Sequence, residues 1–508
     1  MSLLAVDMGS SSCKAVAFSD DGRVLVQATR SYSAQARFPA WSEMPARNFW
    51  DALVAVTREI SAAVVHDPIE VLSISSHGET FVSVDALGRI LGPAILNADN
   101  RAVREAARIV EKVGPERLYQ ITGLTAHAMY PLPKILWLRN HAADTFSHTA
   151  QFLTLPGYLL TQMGLPGYVD YSLASRFLAF DIRKRTWSAE LLSTCELSVE
   201  QFPIPVPAGT IAGELSSPAA AALGLRPGTR VVLGGHDQPC AALGSGVLEP
   251  GRVSASLGTY ECLVAASVEP ASGPESLAAN LNTYCHVVPN RYVTLAYFPS
   301  GIMIDWLLRI LRPAQECEGS SSFADWCGAL ESTTLPGPSG LFIAPHLLGT
   351  CNPDFDPNAT GVIAGIRPTT RPADLYKGVI EGISCEFARM AEFLQAAAGV
   401  CSDIYISGGG RRSRLGLQLR AAMSNCNLHL MQCPEAVCLG TTMLAGVAVG
   451  KYSSYGDAAE QVVRVSQTIT PDIATTASYK SYKAHYRMLY TSLASWRDAQ
   501  CRGTEEEK

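Results

Sequence analysis

The sequence predicts an α/β protein of two domains, and three observations predict it. A chain of 508 residues is too long for one ordinary core. Short apolar, β-branched runs alternate with longer stretches of helical periodicity. One local design also occurs twice, a strand, a small polar tip and a returning strand, first in LLAVDMGSSSCKAVAF (Leu3 to Phe18) and again in VSASLGTYECLVA (Val253 to Ala265).

Composition narrows the class. The hydrophobic fraction of 47% with 17% charged residues is that of a folded globular enzyme. A net charge of −6 offers no basic field for nucleic acid or an anionic membrane, with Arg411-Arg412-Ser413-Arg414 the one local exception. No run approaches the ~20 apolar residues of a membrane span. The N-terminus lacks a basic region and carries Asp7 where a signal peptide would be apolar, so export is not expected. The 14 cysteines are scattered without a C-x-x-C pair, and the tightest group, Cys426, Cys433 and Cys438, lacks zinc-ligand spacing. They read as reduced, buried thiols of a cytoplasmic protein.

The first stretch organises the rest. Leu3 to Val6 ends in Asp7 and the turn Met8-Gly9-Ser10-Ser11-Ser12, and Ala15 to Phe18 returns. Glycine permits a tight turn, hydroxyls and amide N–H groups can face a phosphate, and an aspartate at the strand end can hold Mg²⁺ through water. A plain turn capped by Asp7 fits the same residues. Asp20-Asp21-Gly22 marks a second hairpin turn into a strand over Arg23 to Gln27. Phe49, Leu53, Val56 and Ile60 recur at helical spacing in Asn48 to Val65, and Val71 to Ser75 is a strand. A meander followed by strand–helix alternation is the pattern of the ribonuclease-H-like, actin-like ATPase domain, as it is of other α/β folds.

The strand at 71–75 runs into the polar loop Ser76-His77-Gly78-Glu79-Thr80, where Glu79 could accept hydrogen bonds from substrate hydroxyls or simply be solvated. Asp99 and Arg101 precede a helix over Val103 to Val113, as ligands or as a cap and a surface charge. Met129 to His141 (MYPLPKILWLRNH) is a helix led in by two prolines. The proline-rich Phe202 to Pro207 reads as a surface crossing. In RVVLGGHDQ (Arg230 to Gln238) a β-branched run ends in two glycines and an aspartate, geometry that brings backbone close to a ligand and aims a carboxylate at it. Asp237 fits a general base and a helix cap equally well.

A turn-rich link, Ser245 to Gly251, marks the boundary, and the second polar hairpin follows. Two such tips facing each other across a cleft would clamp a polyphosphate. Helices are expected over Gly301 to Leu311 and Asp374 to Ala398; between them Phe342 to Pro345 and the loop Asn352 to Asn358 precede a strand over Gly361 to Ile366. Ile404 to Ser413 reads as a strand, the glycines Gly408, Gly409 and Gly410, then a helix over Leu415 to Met423 whose N-terminus suits an anion. Cys438 to Val449 is a helix with Gly440 and Gly446 placed for close packing. Tyr479 to Trp496 is the last helix, and Gly503 to Lys508 a disordered tail. The expected domains are 1–245 and 246–455, followed by a helical extension and tail over 456–508.

The ordered set of motifs resembles the FGGY family of carbohydrate kinases, which includes xylulokinase, fuculokinase and glycerol kinase. They are DMGSS at 7–11, P-K-x-x-W over Pro133 to Trp137 with Lys134 in MYPLPKILWLRNH, GGHDQ at 234–238, SLGT at 256–259, GVIAGI with LYKGVIEG within 361–382, and SGGG at 407–410. The resemblance implies two ribonuclease-H-like domains flanking a deep cleft and transfer of the ATP γ-phosphate to a sugar or polyol hydroxyl with Mg²⁺. It implies Asp237 as catalytic base, Asp7 as the Mg²⁺ residue, and Gly9, Ser10, Ser11 and Lys14 in the first phosphate hairpin. Gly258 and Thr259 match the second hairpin, and Gly408, Gly409, Gly410 and Gln418 the nucleotide site. The candidate acceptor contacts are His77, Gly78, Glu79, Asp99, Arg101, Asp237 and Gln238.

Departures from the family bear on the acceptor. Where xylulokinases have Gln-Met-His-Gly, this chain has His77-Gly78-Glu79-Thr80, closer to the Arg-Glu-Thr of glycerol kinases but with Gly78 in place of the arginine. Asn97 stands where many members have tryptophan. Gly258-Thr259-Tyr260-Glu261 is similar to the Gly-Thr-Trp-Glu of deoxyketose kinases. The expectation is a kinase of a ketose such as a pentulose or deoxyketose. A glycerol-type polyol kinase and an actin-like ATPase without a sugar are the alternatives. The expected partners are the small acceptor and ATP, with neither nucleic acid nor membrane, and a homodimer is the candidate assembly.

Overall fold

In the computed structural model, which describes residues 2–311, 323–399 and 401–493, the N-terminal apolar run forms β1 (Ser2–Met8) and returns as β2 (Ser12–Phe18). β1 is covered on both faces, which is why it reads as a nearly continuous apolar run. β3 (Val24–Ser31) pairs with β2 and continues past Gln27. Thr29, Arg30 and Ser31 are exposed there, so no apolar pattern marks them. α1 (Arg47–Ala63) buries Phe49, Leu53, Val56 and Ile60, the residues whose spacing predicts it. β4 (Ile69–Ser76) lies parallel to β1. α2 (Val103–Val113), α3 (Pro131–His141) and the short α4 (Tyr171–Ser175) follow. β5 (Ile211–Glu214) and β6 (Arg230–His236) complete a sheet in the order β5-β6-β4-β1-β2-β3, and α5 (Asp237–Gly244) leaves it.

The second half begins with β7 (Arg252–Leu257) and β8 (Tyr260–Ser267), then β9 (Asn282–Cys285) and β10 (Tyr292–Pro299). After them come α6 (Gly301–Leu311), α7 (Phe323–Ser332), the long α8 (Pro372–Ala398), β11 (Asp403–Ser407), α9 (Arg414–Ser424) and β12 (Asn427–Met431). The chain ends through α10 (Ala436–Ala448), α11 (Tyr455–Val462), β13 (Val465–Ile469) and α12 (Ile473–Ser492). The second sheet runs β9-β10-β8-β7-β11-β12-β13. In both sheets an antiparallel trio (β1-β2-β3, β7-β8-β10) is continued by two parallel strands and closed by an antiparallel one. The duplication legible in two hairpins extends to the whole topology.

Some elements differ from expectation. Phe202 to Pro207 is not a free surface crossing: Phe202 packs on Phe177 and Trp187, and Pro205–Val206 pairs with Val169–Asp170. The strand expected over Gly361 to Ile366 is present as Val362–Ala364, but it joins neither large sheet and instead forms a two-stranded ribbon with Phe342–Ala344. α11 falls in the stretch expected to be helical, whereas β13, a strand inside it, carries no motif and is not anticipated. α12 starts at Ile473, earlier than Tyr479, with Asp472 as its cap; the expected end at Trp496 and the tail over 503–508 lie outside the described residues. Among those residues no helix is long and apolar enough to cross a membrane, and every cysteine is free.

The two halves do not separate cleanly at residue 455. α10 lies against α5 and the first sheet, although it follows the second sheet's strands in sequence, whereas β13 belongs to the second sheet. The α5–α10 crossing is so close that a methyl group on Gly440 would overlap the Cys240 carbonyl oxygen, and one on Gly244 the Ala436 carbonyl oxygen. Gly446 instead faces the Tyr452 ring, a side chain that can move. Gly440→Ala is therefore expected to lower the urea unfolding midpoint by the equivalent of ~1–3 kcal/mol, and Gly446→Ala by less. Equal midpoints for the two variants would mean the helix crossing is looser than the backbone contact requires.

Candidate active site

The C-terminal ends of β1, β4 and β6 meet at one point, because Asp7 is paired with Ser75 and Ser76 with His236 across the parallel ladders. Gly234 and Gly235 are needed here: a side chain on Gly234 would strike the Ile74 backbone, and one on Gly235 would lie 2.8 Å from the Ser172 hydroxyl. That hydroxyl accepts a hydrogen bond from the His236 amide at 2.8 Å and donates to Asp170, the cap of α4. The end of β6 is thus held from below, and Asp237 follows as the first residue of α5 with His236 in the cap position.

Asp237 has a side chain 24% exposed, and its Oδ1 makes no hydrogen bond among the described residues. His236 Nε2 lies 3.5 Å from that oxygen, but burial holds the imidazole well below its usual range, so it is neutral. Desolvation, then the Asp7 carboxylate and then Glu79 push Asp237 up to about 8. Asp7 is itself raised to about 6, chiefly by burial. Its one hydrogen bond is a long one, 3.4 Å from the Ser75 hydroxyl. Lys14, its cross-strand neighbour, is turned to Glu435 at the start of α10, 2.6 Å away. Ser10 and Ser11 are exposed at the hairpin tip, whose Gly9 carbonyl accepts from the Tyr32 hydroxyl.

On the acceptor side, His77 is fully committed within the protein. Its Nδ1 lies 2.8 Å from the Met8 carbonyl and so carries the proton, leaving Nε2 to accept from the Thr80 hydroxyl at 2.6 Å. It braces the loop instead of reaching into the cleft. Gly78 admits no side chain, since a Cβ would lie 2.9 Å from both Arg176 Cγ and His236 Cδ2. Glu79 sits at φ 65°, a left-handed conformation uncommon for glutamate, and accepts from Arg176 Nε at 2.6 Å. Lys134, buried in α3, holds the Leu96 carbonyl at 2.6 Å and the Glu79 carbonyl at 3.4 Å, and burial pushes it down to about 7.

Asp99 and Arg101 stand corrected as acceptor contacts. Asp99 is fully buried, and both its oxygens are taken, by the Ser42 amide and by Arg101. Arg101 also pairs with Glu43 and lies 3.7 Å over the Trp41 ring. The pair ties the loop before α2 to Ser42 and Trp41. Gln238 follows Asp237 in α5 and is half-buried.

The opposite wall is built from glycines. Gly258 and Thr259 are exposed at the β7–β8 tip. A side chain on Gly301 would lie 2.6 Å from the Gly258 carbonyl, and one on Gly408 or Gly410 would strike Leu257. These contacts draw the 408–410 loop against the second hairpin and open a cavity of ≈ 570 Å³, lined by Thr259, Asp305, Glu331, Gly409 and Ser413 among others. Contrary to expectation, the glycines are not at a helix N-terminus: a 3₁₀ turn (Gly409–Arg412) intervenes, and Ser413 caps α9. Gln418 does not join them; it lines a separate depression with Arg411, Arg414 and Asp472. Beneath the cavity Glu261 and Arg420 form a buried bidentate ion pair. That role explains Glu261 in Gly-Thr-Tyr-Glu without reference to any sugar.

Arg176 and Tyr284, whose hydroxyl lies 3.1 Å from His236 Nδ1, escape sequence reasoning. Arg176 lies in an apolar stretch without a motif, and its partner Glu79 is 97 residues away.

Comparison with known proteins identifies the two halves. Residues 2–244 match the model of the N-terminal domain of the FGGY family of carbohydrate kinases, and residues 253–449 that of its C-terminal domain. The chain is similar to the xylulose kinases of Staphylococcus xylosus (24% identical, covering 96% of this chain and 99% of the relative) and Klebsiella pneumoniae (30% identical, covering 88% and 90%). Its fold matches the ligand-bound xylulose kinase structure from Lactobacillus acidophilus with a TM-score of 0.89 at 21% identity, over 97% of this chain and 98% of that one.

Proposed function

Because the chain belongs to the FGGY family of carbohydrate kinases, we propose that it transfers the γ-phosphoryl group of ATP to a hydroxyl of a ketose, a pentulose or deoxyketose, with Asp237 as general base. The observation that carries this reading is the buried Asp237 Oδ1 without a partner, on a carboxyl raised to about 8 where β1, β4 and β6 end. An orphaned acceptor of that basicity suits the removal of a hydroxyl proton. The acceptor oxygen then forms its bond to Pγ, the bond from Pγ to the bridging oxygen breaks, the proton goes to Asp237, and ADP departs. In-line placement and charge neutralisation supply most of the catalysis.

The donor set fits Mg²⁺. Asp7 and Asp237 offer oxygen ligands with little competing hydrogen bonding. Among the described residues no cluster of three or more His, Cys, Asp or Glu forms a closed cage. Mg²⁺ commonly takes one or two carboxylates and completes its shell with water and substrate phosphates, and there it supplies charge neutralisation. Asp7 would hold it, directly or through water. The exposed tips at Gly9 to Ser11 and at Gly258 and Thr259 offer amide and hydroxyl donors to the phosphates, and the glycine-lined cavity accommodates the nucleoside.

The similarity to xylulose kinases along nearly the full chain favours a pentulose, and Glu79-Thr80 keeps a glycerol-type polyol as the second reading. An ADP-release assay with ATP, Mg²⁺ and a panel of ketopentoses, deoxyketoses, ketohexoses and polyols tests both. Turnover on one class supports the kinase reading and names the acceptor, whereas ADP release independent of any sugar would favour the plain ATPase. With the preferred acceptor in hand, Glu79→Ala is expected to raise KM for the sugar about tenfold and KM for ATP by less than about twofold. Equal effects on both would move Glu79 out of the acceptor site.

A further inference from the structure

We propose that Arg176 belongs to the acceptor site, and that the Arg176–Glu79 ion pair selects neutral polyhydroxy acceptors over anionic aldonates. The inference rests on the kinase reading above and names a residue and a selectivity that the motifs do not contain.

The geometry begins at Gly78. The space that a side chain there would need is occupied by Arg176 Cγ and the His236 ring, so a cation enters the loop from the end of α4 instead of from position 78. Arg176 is fixed on every side. Its Nε donates to Glu79 Oε1 at 2.6 Å and its Nη1 to Asn282 Oδ1 at 3.2 Å. Tyr130 and Tyr284 face its guanidinium at 5.2 and 4.9 Å. Asn282 is held in turn by the Tyr130 hydroxyl at 2.7 Å. A guanidinium this constrained loses little entropy on binding a further oxygen.

Two polar atoms of the pair remain uncommitted, since among the described residues neither Arg176 Nη2 nor Glu79 Oε2 has a hydrogen-bond partner. Together they offer one donor and one acceptor, the complement of a hydroxyl or of a carbonyl beside a hydroxyl. Both side chains are about one-twentieth exposed, so their charges must balance one another. The pair is neutral as it stands. An aldonate carboxylate would meet Glu79 as a like charge where both members of the pair are buried, with the Asp237 carboxyl near enough to feel the Glu79 charge. A ketose brings no charge and satisfies both atoms.

The test compares D-xylulose and D-gluconate as acceptors for wild type, Arg176→Lys, Arg176→Met and Glu79→Gln, with melting temperatures measured alongside. Glu79→Gln leaves the arginine unbalanced and is expected to raise the ratio of kcat/KM for gluconate to that for xylulose by about tenfold or more. Arg176→Met is expected to raise KM for xylulose about tenfold with KM for ATP within about twofold of wild type, and Arg176→Lys to recover part of that loss. If Arg176→Met does not fold, the selectivity of Glu79→Gln and the KM values of Arg176→Lys decide. Wild-type turnover on xylulose with an unmoved ratio in Glu79→Gln overturns the inference alone, as do equal rises in both KM values. A wild-type enzyme silent on every sugar overturns the kinase reading beneath it.

Discussion

Asp237→Asn is expected to lower kcat by about 10²-fold or more, within the range for loss of a general base, while ATP binding is retained. Asparagine keeps the shape and the place in α5 but cannot take up a proton. The wild-type pH profile should carry the same signature. Burial, Asp7 and Glu79 together place the Asp237 carboxyl at about 8 in the free protein. A carboxyl acts as base only when ionised, so kcat/KM falls as pH drops through that value, roughly tenfold per unit below it.

Asp7 is the largest neighbouring charge raising that value, and a cation beside it would offset the effect. Raising Mg²⁺ is therefore expected to move the acidic limb to lower pH. Asp7→Asn should lower the limb at low Mg²⁺ and abolish its metal dependence. Near-wild-type turnover in Asp237→Asn would remove that residue from the mechanism, and a limb indifferent to Mg²⁺ would remove Asp7 as the metal's carboxylate.

Glu261→Ala is expected to cost about 3–5 kcal/mol of stability, because it strands a buried guanidinium without its counter-charge. Glu261 and Arg420 are each only 2% exposed and bind through two parallel hydrogen bonds. The pair joins the start of β8 to α9 directly beneath the glycine-lined cavity. Glu261→Met with Arg420→Met should recover most of the loss, since a well-packed apolar pair of similar volume avoids the desolvation that the ions require. The urea midpoint reads both, and a single variant within about 0.5 kcal/mol of wild type would mean that water reaches the pair.

Much of this molecule is legible along the chain because its signals are local. The hairpin over Leu3 to Phe18 and its counterpart over Val253 to Ala265 show themselves by strand patterning and small polar tips, and α1 by the spacing of Phe49, Leu53, Val56 and Ile60. Gly234-Gly235 before Asp237 marks a strand end where backbone runs against backbone. Local reading fails where a residue's partner is distant or its environment is supplied by another element. His77 and Asp99 look like ligands because they are polar and lie in loops, yet every acceptor on Asp99 and both nitrogens of His77 are spent inside the protein. Gln418 stands in the expected register, but the 3₁₀ turn over Gly409–Arg412 leaves it in a different depression from the glycines.

The sequence by itself determined the α/β class, the doubled plan, the polar tips and the aspartates at the ends of β1 and β6, since each depends on residues within a few positions of one another. Only the tertiary structure decided that α10 closes over the first sheet, that Arg176 fills the space Gly78 leaves, and that Asp237 becomes basic through burial and the nearness of Asp7 and Glu79. The reason is physical: strand and turn preferences act along the chain, whereas desolvation and Coulomb interaction depend on distance in space.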